Sequence, residues 1–178
     1  MHRIFIFLIT ILSYSYNQEN DTSTEYIIYT SSELMDSAEL LKNFYNNPEI
    51  YGYSNSNILD ISLKTEIITT SMVLPQHFKS YLFDNYSNFN GAFSALKYLL
   101  ILGDETIIEP LKYLNIVASD DYFSSILSSP STFPIPTIST GRLLVRNSNE
   151  ALNNINAIIN YITNVSEGSW KSEALLIA

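Results

Sequence analysis

Tyr98-Leu99-Leu100-Ile101-Leu102, closed by Gly103-Asp104, is the stretch on which the fold turns. Five successive apolar or aromatic side chains leave a strand no polar face, so both of its sides must be covered. That is the situation of a central strand in a parallel sheet with helices above and below. The Gly-Asp pair then stops the strand with turn chemistry.

The segments on either side supply the other layers. Upstream, Tyr26-Ile27-Ile28-Tyr29 is a second short β-rich run, and Thr30-Ser31-Ser32-Glu33 has the spacing of a capping box. Leu34, Ala38, Leu41 and Tyr45 follow at helical spacing. Leu63 to Thr70 is β-branched and alternating, which predicts another strand. Pro75 suits a first helical position, with Phe78, Leu82 and Tyr86 on one face behind it, and Asn90-Gly91 marks a turn. Downstream, an irregular crossover through Ser119-Asp120-Asp121-Tyr122-Phe123 and a Ser/Pro-rich loop leads to a strand within Ile138–Val145. Asn147 and Glu150 predict a capped helix carrying Leu152, Ile155, Ile159 and Ile162. Strands alternating with helices argue an α/β fold with a mainly parallel sheet flanked by helices.

Composition narrows the function classes. The chain has 178 residues, and its 46% hydrophobic content can support one buried core, which excludes intrinsic disorder. A formal net charge of −9 repels phosphate backbones, so no nucleic-acid partner is expected. With 0 cysteines, a disulfide framework, a thiolate metal site and a cysteine nucleophile are all absent from these residues. The imidazoles are His2 and His77, and His77 reads as an exposed position on a crossover helix.

The ends of the chain carry their own expectations. Met1-His2-Arg3 is a short basic start, and Ile4–Leu12 is an apolar run within the ~7–15 residues of a signal-peptide core, too short to span a membrane. Residues 1–15 are therefore read as a signal peptide cut near Ser15, and residues 16–24 as a mobile leader. Localisation would then be secreted or at the cell surface. Ala174–Ala178 reads as a buried strand that ends without a turn or polar tail. Residues 25–178 are accordingly expected to be the N-terminal half of a domain truncated at its C-terminus.

In order along the chain come Leu100-Ile101-Leu102-Gly103-Asp104, Ser119-Asp120-Asp121-Tyr122, Gly141-Arg142, a helix ending at Tyr161, and Trp170-Lys171 before an apolar run. This series resembles the first part of the catalytic domain of the gingipain-like cysteine peptidases, a family of caspase-like fold that includes the type IX secretion system sortase. The resemblance implies a three-layer sandwich, present here only in part. It also implies an exported cysteine-type endopeptidase acting on protein or peptide substrates, with no integral membrane span. The alternatives are a sortase-like relative and a non-catalytic secreted binding module on the same fold. The family's catalytic His and Cys would lie beyond Ala178, so no catalytic residue falls within this sequence and the 178 residues alone are expected to be inactive.

Two carboxylate groups are marked by the same resemblance. Asp104 matches an aspartate that in gingipains helps bind calcium, which makes calcium the one candidate cofactor. The segment before Gly-Arg, Ser124–Thr140, contains no Asp or Glu to complete such a site. The alternative for Asp104 is a carboxylate accepting backbone N–H groups in a strand-end turn. Asp120 and Asp121 would lie on the loop after the central strand, near the site but outside the chemistry, or form a solvated acidic turn.

Overall fold

The run Tyr98–Leu102 forms one of the two inner strands of a four-stranded parallel sheet. The computed structural model describes residues 24–53, 61–86, 95–113, 117–126 and 136–164. The elements are β1 (Tyr26–Thr30), a 3-10 turn (Ser32–Leu34), α1 (Met35–Asn46), a 3-10 turn (Pro48–Tyr51) and β2 (Thr65–Thr69). They continue with α2 (Pro75–Tyr86), β3 (Tyr98–Leu102), β4 (Lys112–Tyr113), β5 (Val117–Ala118), α3 (Asp121–Ser124), β6 (Ser139–Leu143) and α4 (Ser148–Thr163). The sheet order is β2-β1-β3-β6, all parallel, with Ile28 opposite Leu100 and Leu100 opposite Gly141. β4 and β5 make a separate antiparallel pair.

The period of two along the strands builds two cores. Ile27, Tyr29, Leu99 and Ile101 face α2 and α3, where they meet Phe78, Leu82, Tyr86 and Phe123. Tyr26, Ile28 and Leu102 face α1 and α4, where they meet Ala38, Leu41, Phe44, Ile155 and Ile159. The α/β reading with helices on both faces is thus the observed architecture. Tyr29 anchors the first core: its ring stacks on Phe78 at 3.8 Å, and its hydroxyl donates to the Val73 carbonyl oxygen at 2.7 Å. Burial pushes the Tyr29 hydroxyl well above the usual tyrosine range, so it stays a donor. Lys79, almost wholly buried, sets its ammonium 5.1 Å from the centre of the Tyr122 ring, joining α2 to α3.

Two local expectations are corrected. The Thr30–Glu33 capping box does not form. Thr30 is still inside β1, and its hydroxyl donates across the sheet to the Leu102 carbonyl oxygen at 3.0 Å. The chain enters α1 through the 3-10 turn instead, with Ser31 at the boundary and no side-chain cap. On α4 the buried stripe is Ala151, Ile155 and Ile159, whereas Leu152 is 42% exposed. Counting back by four from Ile159 selects Ala151, the register the helix adopts. The other predicted cap is present: the Asn147 side-chain oxygen accepts the Glu150 N–H at 2.9 Å. The predicted signal peptide, most of the leader, Asn90-Gly91, Trp170-Lys171 and the Ala174–Ala178 run lie outside the described residues.

Candidate functional site

A parallel sheet collects its functional groups in the loops beyond the carboxyl ends of its strands, because every crossover helix starts there. Here that edge is formed by the residues after Thr30, Thr69, Leu102 and Leu143. β3 leaves the sheet through Gly103, whose φ of +141° belongs to glycine; a Cβ there would sit 3.1 Å from Ile107 Cγ2. The Gly103 N–H donates to Leu143 O at 3.1 Å and the Asp104 N–H to Val145 O at 3.0 Å, so the turn stays laced to the end of β6.

Asp104 is 5% exposed and fully engaged. Oδ1 accepts the Thr106 hydroxyl at 2.6 Å and the Thr106 N–H at 2.9 Å. Oδ2 lies 3.4 Å from Arg146 Nε. Its main-chain oxygen accepts N–H groups from Ile107 at 3.2 Å and Ile108 at 2.9 Å. The Thr106 hydrogen bond, helped by backbone N–H groups and Arg146 against an opposing effect of burial, holds this carboxyl below the usual aspartate range.

The structure separates Asp120 from Asp121. Asp120 turns inward and forms a two-pronged pair with Arg142, Nε to Oδ2 at 2.8 Å and Nη2 to Oδ1 at 2.7 Å. Asp121 opens α3, is exposed, and lines a polar groove of about 630 Å³ with Lys97, Ser124, Thr137 and Ser139. His77 is exposed on α2. A second cavity, about 540 Å³ and lined by Tyr26, Tyr45, Leu63, Tyr98, Leu100 and Gly141, lies where the strands begin. It is apolar and at the wrong end of the sheet for the carboxyl-edge chemistry.

The residues present do not fit a calcium ion at Asp104. Oδ1 accepts two hydrogen bonds from Thr106 and a cationic side chain, the largely exposed Arg146, lies 3.4 Å from Oδ2, whereas a calcium ion needs six to eight oxygens. Among the described residues, no group of three or more His, Cys, Asp or Glu side chains gathers.

Arg142 is the residue to which sequence reasoning gave no role. Its side chain is 11% exposed, and besides Asp120 it serves three main-chain oxygens through Nη1: Gly103 O at 2.9 Å, Ile108 O at 2.9 Å and Asp104 O at 3.3 Å. The available signal was an arginine inside a strand of a two-faced sheet, where burial requires a charged partner. Chemically, this edge is a set of rigidly held loops with charges neutralised in pairs.

Comparison with known proteins shows the fold and the family. The structure is similar to RgpB from Porphyromonas gingivalis in the complex of its pro- and mature domains, with a TM-score of 0.60 and 15% identity over 77% of this chain and 29% of that one. It is similar to dimeric latent PorU from the same organism, with a TM-score of 0.55 and 14% identity over 84% of this chain and 16% of that one. The structure of the Arg-specific cysteine proteinase gingipain R gives a TM-score of 0.54 and 14% identity over 79% of this chain and 29% of that one. The chain therefore spans less than a third of each of these proteins. No curated protein sequence matches it. The family model for peptidase family C25 matches residues 19–178, nearly the whole sequence, and the chain belongs to that family.

Proposed function

We propose that this chain is part of the catalytic domain of an exported cysteine-type endopeptidase of the gingipain kind, and that it contributes the scaffold at the carboxyl edge of the sheet. The match to peptidase family C25 over residues 19–178 carries this reading. In such an enzyme a cysteine thiolate attacks the substrate's peptide carbonyl carbon while a histidine delivers a proton to the departing amine. Water then cleaves the thioester to release the acid and restore the thiol. The nucleophile would come from outside these residues, which contain 0 cysteines. Export would proceed through the basic start and apolar run of residues 1–15.

A sortase-like reading is kept for one reason: PorU overlaps a larger share of this chain, 84%, than RgpB does, 77%. The chemistry would be identical up to the thioester, which an amine would then open to give a new amide. The test is an assay of the whole protein that carries this chain, on peptide substrates with and without an added amine. Cleavage abolished by a cysteine alkylating agent is the expected result. Acid as the sole product indicates a peptidase, and an amine adduct indicates the sortase-like relative. Cleavage that survives alkylation overturns both.

A further inference from the structure

Five oxygens from two separate loops converge on the Arg142 guanidinium. The Gly103, Asp104 and Ile108 carbonyl oxygens lie 2.9, 3.3 and 2.9 Å from Nη1, and the two Asp120 carboxylate oxygens lie 2.8 and 2.7 Å from Nε and Nη2. Main-chain carbonyls completed by a carboxylate are the donor set that proteins otherwise assemble around a hard cation. Here the centre of the set is a side chain of β6. A guanidinium is always charged and planar, with its donors in a fixed fork, so it can grip a carboxylate on one edge and carbonyls on the other. A lysine has three donors around one nitrogen and lacks this two-edged shape.

We infer that Arg142 is the built-in cation of the carboxyl edge, holding the 103–108 turn and the Asp120 loop against β6 with no divalent ion at Asp104. The second arginine, Arg146, extends the arrangement. It is largely exposed and sets a second positive charge 3.4 Å from the remaining Asp104 oxygen. Removing the Arg142 guanidinium would leave a pocket of carbonyl oxygens around a carboxylate, negative in sum and shaped for a planar cation.

Amide hydrogen exchange, read by peptide mass spectrometry on the protein in millimolar calcium and in chelator, tests this. The Thr106, Ile107 and Ile108 N–H groups all donate to Asp104 and report on the turn directly. Unchanged protection of residues 104–108 between calcium and chelator is expected. Arg142→Lys should speed exchange there and at 121–125 by roughly tenfold or more, with β1 and α4 unaffected. Arg142→Ala should recover protection in dilute methylguanidinium. Loss of protection on chelation of the unaltered protein, full protection in Arg142→Lys, or no recovery with methylguanidinium would each overturn the inference. If the Arg142 variants do not fold, Asp120→Asn keeps the shape and removes the carboxylate charge. It should speed exchange in the same two segments, and normal exchange in it refutes the proposal.

Discussion

Replacing Phe78 by alanine tests whether α2 is seated on the sheet as described. The side chain is wholly buried, 3.8 Å from the Tyr29 ring and 5.7 Å from the Phe123 ring between centres. Burial of a phenylalanine contributes about 1.5–3 kcal/mol, and each ring pair adds about 0.5–1.5 kcal/mol. The sum agrees with the about 3–5 kcal/mol lost on Phe-to-Ala changes in cores. Against a total stability of about 5–15 kcal/mol that is a large fraction. Urea unfolding followed by circular dichroism should show a much lower midpoint with an unchanged slope, because the exposed surface on unfolding stays nearly the same. Phe78→Leu keeps an aliphatic body and loses the ring pairs, so its cost should be smaller, about 1–3 kcal/mol. A Phe78→Ala cost under about 1 kcal/mol would refute the packing of α2 against Tyr29.

Two further outcomes follow from the carboxyl edge and from α4. The folded-state pKa of Asp104 lies below its unfolded value, so its charge stabilises the fold above the unfolded pKa and that contribution is lost as pH falls through the folded one. Thermal melts of Asp104→Asn against the unaltered protein should therefore differ at neutral pH and converge under strongly acidic conditions; a gap independent of pH contradicts the charge role. Asn147→Ala removes the acceptor for the Glu150 N–H at the start of α4 and should cost about 1 kcal/mol in urea unfolding, with no measurable cost counting against the cap.

What the sequence discloses, and what it conceals, divides along physical lines. β3 was legible because a run without polar residues has few places to go. The buried face of α2 was legible because Phe78, Leu82 and Tyr86 repeat every four residues. The start of α1 was not: Thr30 can cap a helix or bond across a sheet, and only the position of β3 beside β1 decides in favour of Leu102. The small side chain of Ala151 hid the true stripe of α4, since Leu152 looks more hydrophobic but faces solvent. β4 and β5 span two residues each and leave no periodic signal. At the candidate site, Asp104 and Asp120 were marked by the family resemblance. The Asp120 role depends on Arg142, 22 positions away along the chain, and the Asp104 carboxylate lies beside Arg146, 42 positions away. Such pairings are properties of the fold and cannot be read from local spacing.

The central proposal is that this chain of peptidase family C25 supplies scaffold to a cysteine peptidase whose nucleophile would lie outside these residues. Labelling the whole protein with a thiol-directed, peptide-based inhibitor and locating the adduct by mass spectrometry measures this most directly. The account predicts one modified cysteine outside residues 1–178, with peptide cleavage lost in step with labelling. Full cleavage by protein lacking any adduct, or an adduct on a side chain within these residues, would contradict it.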